Sequence, residues 1–481
     1  MAAMINNPEI LIGLVSPVGV DLDTIEKNLT DYLKHFNYEG KLIQLSSLIR
    51  NIDGLETELH EGPEFKRIDS YMTAGDEARR KADRGDILAA LSINQINKHR
   101  ENNSPLTGTA HILRSLKHPD EVELLRNVYG EGFYLLGIFS SWAQRKAFFE
   151  RKNILKDEAE HLIDRDESEE FDWGQQTRDA FHLADVFIDV DRDDVAKQIS
   201  RFLDIIFGYP FYTPTKDEYA MFLAFSASLR SADLSRQVGA VITSREGEII
   251  ATGANDVPCF DGGLYWADHE KDNRDYVKGY DSNTRHKNNM LLEIMRKIDG
   301  TDKEDDELLE EAKETFQNAK LLDITEYGRA VHAEMEALLC CSRIGVSPIE
   351  GTLYCTTFPC HNCAKHIIAA GITRVVFVEP YPKSQAKILH GDEIVIKHEE
   401  EDSKTKEKVM FEPFVGFGPR KFIDLFSMNL SRGYNLKRKK SGKKIEWERK
   451  TASVRIPLLP LTYIDREEFV IGEINIQIKG E

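Results

Sequence analysis

Residues 353–377 read LYCTTFPCHNCAKHIIAAGITRVVF. LYCTT is apolar and β-prone and predicts a strand; Phe358-Pro359 turns the chain; HNCAKHIIAAG predicts a helix and TRVVF a second strand. Working backwards, VHAEMEALLCCSR (331–343) has apolar residues at helical spacing. QVGAVITSREGEIIATGAND (237–256) gives two apolar runs about a polar Ser-Arg-Glu-Gly turn, the mark of a hairpin. EYAMFLAFSASLRSADL (218–234) predicts another amphipathic helix. Helix, hairpin, helix, strand, helix, strand is an α/β arrangement.

The first half of the chain alternates in the same way. A short apolar run, Ile10 to Val15, precedes a Gly/Pro/Ser turn and then Leu22, Ile25, Leu29, Tyr32 and Leu33 at helical spacing. KLIQLS (41–46) predicts a second strand. GFYLLGIF (132–139) and ADVFIDV (184–190) are continuous apolar runs, as buried parallel strands are, and a helical stretch follows the latter. Strands alternating with helices predict a parallel sheet covered on both faces. GYPFYTPTKDE (208–218) interrupts the pattern with two prolines and a glycine. The main boundary is placed there, with one domain over 1–207 and another over 208–481. Within the second, residues 262–329 are polar and charged and predict an insertion with helical pieces. Residues 399–408 and LKRKKSGKKIEWERK (436–450) predict a charged C-terminal extension of loops or a mobile hairpin.

Charge narrows the partners. The 63 basic and 82 acidic side chains give a net charge of −19, which opposes a general nucleic-acid-binding role while leaving room for a local basic groove or a small anionic ligand. The six cysteines all lie between Cys259 and Cys363, which suits a metal site better than a spread disulfide framework. No signal-peptide pattern and no apolar run near twenty residues is found, so a soluble protein of a reducing compartment, the cytoplasm, is expected.

Two short motifs carry the chemistry. His332-Ala333-Glu334 stands at the start of a predicted helix, and Pro359-Cys360-His361-Asn362-Cys363 stands where a strand hands over to another. Cys360 and Cys363 are one helical turn apart, so both thiols can face one point. With the imidazole of His332 they make three ligands, and three protein ligands plus an open position is the pattern of a catalytic zinc. The open position takes a water whose pKa the metal lowers. Glu334 need not bind metal and is free to carry protons as the catalytic acid/base. A lone C-x-x-C is also read as a redox motif or half a zinc knuckle. No second C-x-x-C is present to complete a knuckle, and a redox motif needs no upstream H-x-E. The remaining four cysteines are expected to be small core residues.

This H-x-E and P-C-x-x-C pattern is that of the zinc nucleobase deaminases. More closely, residues 217–382 resemble the deoxycytidylate deaminase family. RQVGAVI followed by IIATGANDVP resembles the family's first hairpin and GxN-x-x-P loop, and LYCTTFPCHNCAKHIIAAGITRVVF its strand-site-helix-strand block. The resemblance implies that Asn255 contacts the nucleotide and that backbone N–H groups around Ala333 and Cys360 face the pyrimidine carbonyl and the attacking oxygen. Lys383 and Ser384, in EPYPKSQAKILHGDEI, are candidate phosphate contacts by type and position, with a solvent-facing turn the competing reading.

The loop after the first strand runs Gly13-Leu14-Val15-Ser16-Pro17-Val18-Gly19-Val20-Asp21. A working phosphate loop reads G-x-x-x-x-G-K-[ST]. Here the spacing is one residue longer, valine replaces the lysine and aspartate replaces the hydroxyl residue. Without the lysine, phosphoryl transfer loses a main source of charge stabilisation, yet Gly13, Ser16 and Gly19 can still hold the anion of a nucleotide through loop N–H groups. The fold-level resemblance is to P-loop nucleotide kinases, with RKAFFERK (145–152) as a lid. It implies a first domain that has lost or altered catalysis and acts as a regulator; a structural domain without ligand is the competing reading.

A kinase-like domain joined to a deoxycytidylate deaminase resembles the bacterial anti-phage deaminases. That likeness implies free dCTP and dCMP as substrates, Zn2+ as cofactor, and depletion of the deoxycytidine nucleotide pool after infection. It further implies a homo-oligomer, a hexamer by the habit of the wider family. The controlling partner is left open among a nucleotide effector, an inhibitory RNA and a protein. The alternative is a polynucleotide deaminase acting on tRNA or single-stranded DNA with the same zinc chemistry; LKRKKSGKK is the one feature that favours it. A third is a scaffold with an inert site.

Overall fold

The structure, a computed structural model, describes residues 7–100, 104–167, 174–192, 194–299, 303–316, 319–324, 326–378, 385–397, 407–458 and 460–478. The chain divides into two compact units: Met1–Phe222 with Val376–Lys383 and Val395–Glu481, and Leu223–Val375 with Ser384–Ile394.

The first unit is built on β1 (Ile10–Val15), β2 (Glu39–Gln44), β3 (Thr109–Leu116), β4 (Phe133–Phe139) and β5 (Val186–Asp189). They are parallel and stand in the order β2-β3-β1-β4-β5. Every residue of β1 and β4 is buried, as the unbroken apolar runs ILIGLV and FYLLGIF require of strands covered on both faces. Helices Asp23–Lys34 and Val195–Ile206 put Ile25, Leu29, Leu33, Ile199 and Phe202 into the same core.

The C-terminal stretch returns to this unit, whereas the sequence reading grouped it with residues 208–481. The strand Gly416–Phe417 pairs antiparallel with β5, Gly416 facing Phe187. Phe417, Leu425 and Val454 complete the first core. The fully buried Glu218 carboxylate accepts from the Phe417 N–H at 2.9 Å and from Arg201 at 2.6 Å, and Arg449 grips Asp204 through two 2.8 Å bonds. Local charge concealed this return: the apolar contacts are single residues spaced along a polar chain. Within LKRKKSGKK, Lys439–Lys440 and Lys443–Lys444 form a short exposed hairpin, as expected.

The helix Pro460–Ile478 is tied down at the opposite end of β1 from the loop. Arg100, fully buried, bonds both Glu467 of this helix and Glu9, which precedes β1. Tyr463 donates to Glu9 at 2.6 Å, and a His111 ring nitrogen lies 3.2 Å from it.

The second unit carries the antiparallel hairpin β6 (Gly239–Thr243) and β7 (Ile249–Ala254), with β8 (Thr352–Cys355) on the other side of β6. The helix Ala333–Ile344 lies across the hairpin at Gly253, where a Cβ would come within 2.1 Å of the Ala333 carbonyl oxygen. Only glycine permits that approach. The insertion at 262–329 holds helices Ser282–Asp299 and Asp305–Thr315, which share a small core of Leu291, Met295, Leu308 and Ala312. Among the described residues, no helix is long and apolar enough to cross a membrane.

Removing Glu467 leaves Arg100 buried with one carboxylate fewer. Breaking a buried pair this way costs about 3–5 kcal/mol, so Glu467→Ala is expected to unfold at clearly lower urea concentration, followed by circular dichroism; an unchanged midpoint contradicts the tie. Burial alone would push the Glu9 carboxyl up, but the His111 hydrogen bond and the Arg100 charge hold it down at about 2, below its ordinary 4.5. The stability this adds is whole above pH 4.5 and is lost as pH falls toward 2. Glu9→Gln is expected to flatten that limb of the stability curve.

Candidate active site

Two helices begin beside one another in the second unit. His332 caps the helix Ala333–Ile344 with extended backbone, and Cys360 caps the helix His361–Ala369 in the same way. Val331, just before His332, pairs with Asp256 (Val331 N–H to Asp256 O, 2.8 Å), which anchors the start of the first helix to the chain leaving β7. In the second, the Cys363 N–H points at the Cys360 sulfur, 3.5 Å away.

Each sulfur lies 3.4 Å from His332 Nδ1, and all three donor atoms lie within 4.8 Å of one another. With Zn–N about 2.0–2.1 Å and Zn–S about 2.3 Å, a tetrahedral site requires N···S edges of roughly 3.5 Å. The donor set therefore fits zinc both in chemistry and in spacing. Both sulfurs sit at the positive end of a helix, which favours thiolate. Hydrogen bonds with Cys363 and then with His332 hold the Cys360 thiol down at about 3. The bond to Cys360, followed by burial, pushes the Cys363 thiol strongly up. The His332 imidazole is raised, first by its hydrogen bond to Cys360.

Glu334 is in the first turn of the first helix and is buried. Burial, then the neighbouring Cys360 charge, raises its carboxyl. Ala333 is fully buried beside it. His332, Ala333, Glu334, Cys360 and Cys363 are thus brought together.

Asn255 is nearby in the fold but turned to the backbone. Its Oδ1 accepts from the Val238 N–H at 2.6 Å and its Nδ2 donates to the Arg236 carbonyl at 2.8 Å. It clamps the strand-entry segment 236–238. Lys383 and Ser384 lie outside the described residues. Gly13, Ser16 and Gly19 belong to the first unit; Gly13 is inside β1, where a Cβ would strike Leu116 at 2.6 Å, and Ser16 and Gly19 are in the following loop.

One residue escaped the sequence reading. Arg236 is exposed, its guanidinium makes no ion pair among the described residues, and its positive charge is felt at His332. It was visible in RQVGAVI, but that block was read only as a hairpin start.

A model of the cytidine and deoxycytidylate deaminase zinc-binding region matches residues 214–379. ComE operon protein 2 of Bacillus subtilis (strain 168) is 36% identical over 95 residues, 17% of this chain and 48% of that protein. The Homo sapiens deoxycytidylate deaminase is 27% identical over 209 residues, 43% of this chain and 79% of that one. The apo dCMP deaminase of cyanophage S-TIM5 superposes with a TM-score of 0.23 at 18% identity, covering 42% of this chain and 100% of that one. The chain spans about half the length of the Bacillus relative. The matched segment contains His332, Cys360 and Cys363, and the zinc-binding description of that model agrees with the three donors brought together here.

Purified protein is expected to hold about one zinc per chain, measured by plasma mass spectrometry. Cys360→Ala or His332→Ala should lose it while the first unit stays folded; full zinc retention in both contradicts the ligand set.

Proposed function

We propose that the second unit deaminates free deoxycytidine nucleotides, dCTP or dCMP, to dUTP or dUMP with release of ammonia. In the cell this depletes the deoxycytidine nucleotide pool as an anti-phage defence, under control of the first unit. The observation that carries the reading is Glu334, a buried carboxyl two residues from a ligand of the His332–Cys360–Cys363 site, inside the segment that matches the family.

A zinc ion held by those three residues supplies, when bound, a water acidic enough to be deprotonated near neutrality. Glu334 accepts a proton from the attacking water on a carboxylate oxygen. It passes that proton to ring N3, then takes the remaining proton of the attacking oxygen and delivers it to the amine that leaves C4 as ammonia. Overall, one water is consumed, the C4–N bond breaks and a C4–O bond forms. Burial of the Glu334 carboxyl suits this role, because it keeps bulk water away from the transferred proton. Asn255 keeps residues 236–238 in place, and Arg236 is suited to the phosphate end of a nucleotide.

The free nucleotide is favoured over a polynucleotide by the net charge of −19. The name of the human relative, deoxycytidylate deaminase, points to dCMP. Regulation through a kinase-like first unit is supported by its parallel sheet and by the loop that follows β1.

Purified protein incubated with dCMP, dCTP, CMP and deaminatable oligonucleotides is expected to yield uracil product from the free deoxynucleotides. Product from the oligonucleotides alone overturns the reading. Glu334→Gln should lower kcat by about 10²–10⁴-fold with zinc retained, and Arg236→Gln should raise KM for the nucleotide while sparing kcat.

A further inference from the structure

The chain carries two exposed charged elements of opposite sign, one in each unit. Residues 436–444, LKRKKSGKK, hold six basic side chains and no acidic one. In the exposed hairpin they form, Lys439 faces Lys444 and Lys440 faces Lys443. Like charges directly opposite one another destabilise a strand pair, so both rungs of this hairpin oppose its formation. The turn favours it: Ser441 and Gly442 have positive φ, 51° and 79°, as in the type I′ turn whose twist matches the strands.

The hairpin is firmly mounted. Arg438 Nε donates to the Pro210 carbonyl at 2.7 Å, and the Ile445 N–H donates to the Arg438 carbonyl at 3.2 Å. Trp447 Nε1 donates to the Phe207 carbonyl at 3.3 Å. The rings beside the hairpin are already engaged: Tyr209 packs on Trp447 at 4.9 Å, and Lys444 Nζ stands 4.4 Å from the centre of the Phe211 ring. Single-stranded nucleic acid is held by rings open to its bases; among the described residues, this surface offers charge without them. Side chains alternate along a strand, so Lys440 and Lys443 take the face away from Phe211.

The helix Asp305–Thr315 is the acidic counterpart. Six of its 11 residues are acidic and one, Lys313, is basic. Leu308 and Ala312 are fully buried with Leu291 and Met295, which turns the opposite side of the helix to solvent. Asp306, Glu310 and Glu314 follow one another at four-residue spacing along that side, all exposed, with Glu307 beside them. Like charges four apart destabilise a helix. Arg296, Lys303 and Lys313 pair with Asp305, Glu311 and Glu310. Asp306, Glu307 and Glu314 pair with no cation among the described residues. Carboxylates four residues apart stand about 6 Å apart along a helix, and opposed residues of a hairpin about 5 Å apart. One rung of lysines therefore matches two neighbouring carboxylates.

We propose that the lysine hairpin of one copy docks on the acidic face of the helix Asp305–Thr315 of a second copy. The contact relieves self-repulsion in both elements at once. Every chain has one hairpin and one helix, so the contact is head-to-tail and builds a closed ring or a filament. Single exposed ion pairs contribute little. The association rests on several meeting together, and in a ring each copy makes two such contacts. The net charge of −19 opposes approach only at distances that salt screens, beyond about 8 Å at physiological ionic strength. The docked charges are in contact. The proposal uses neither the His332–Cys360–Cys363 site nor the loop after β1, and it is independent of the deaminase reading.

The test is sedimentation equilibrium of the full chain at micromolar concentration and physiological ionic strength. The hairpin variant carries Lys439→Glu, Lys440→Glu and Lys443→Glu. The helix variant carries Asp306→Lys, Glu310→Lys and Glu314→Lys. The unsubstituted chain is expected to sediment as an oligomer, and each variant alone at a mass lower by about twofold or more. An equal mixture of the variants is expected to regain the larger mass, because each reversed element then meets a complementary one. A contact made within one chain would not be restored by mixing. Circular dichroism checks folding, and a variant that fails is replaced by glutamine at the same positions, which is expected to lower the mass in the same direction. A monomeric unsubstituted chain, variants at its mass, or a mixture no larger than its components overturns the proposal. A labelled oligonucleotide that binds the unsubstituted chain and not the hairpin variant, with no change of mass between them, overturns it in favour of a nucleic-acid surface.

Discussion

Two helix N-termini converge on one point in the second unit, and the residues around them keep that convergence in place. His332 and Cys360 each stand at a helix start, and Cys363 follows one turn in. Three donors 3.4 Å apart across the imidazole–thiol edges would be costly to hold together without a cation to share. The fold contributes by geometry. Gly253 lets the helix Ala333–Ile344 lie directly on β7, and the Asp256–Val331 pairing fixes the residue before His332. Glu334 is then carried into a buried position by the same first turn that delivers the ligand. In the proposed function, metal binding and proton transfer are two outputs of one helix start.

The three-donor cluster was legible because its information is local. His332-Ala333-Glu334 and Pro359-Cys360-His361-Asn362-Cys363 are short, and the 3.6-residue helical period puts Cys360 and Cys363 on one face before any tertiary structure is considered. The strands β1 and β4 were legible for a similar reason, since burial on both faces demands unbroken apolar runs. Asn255 was legible as a special position, but its side chain bonds to the Arg236 and Val238 backbone, so its part in the site is through the segment it holds.

What could not be read is what depends on partners far away in the chain. Asp166 meets the loop at Val18 across 148 positions, and Arg100 meets Glu467 across 367. No periodicity signals such pairs. The return of the C-terminal stretch to the first unit was hidden for the same reason: the strand Gly416–Phe417 is two residues long, and its pairing with β5 rests on Phe417 and on the buried Glu218 carboxylate. The loop after β1 has valine at position 20, but the Asp166 carboxylate that sits on its Val18 amide could be seen only in three dimensions.

The central claim is hydrolysis at C4 of a cytosine nucleotide. Its most direct test is the mass of the product formed from dCMP in ¹⁸O-water by the zinc-loaded protein. The account predicts dUMP carrying one ¹⁸O in the base, with one ammonia released for each dUMP formed. Absence of dUMP, or dUMP without the label, contradicts it.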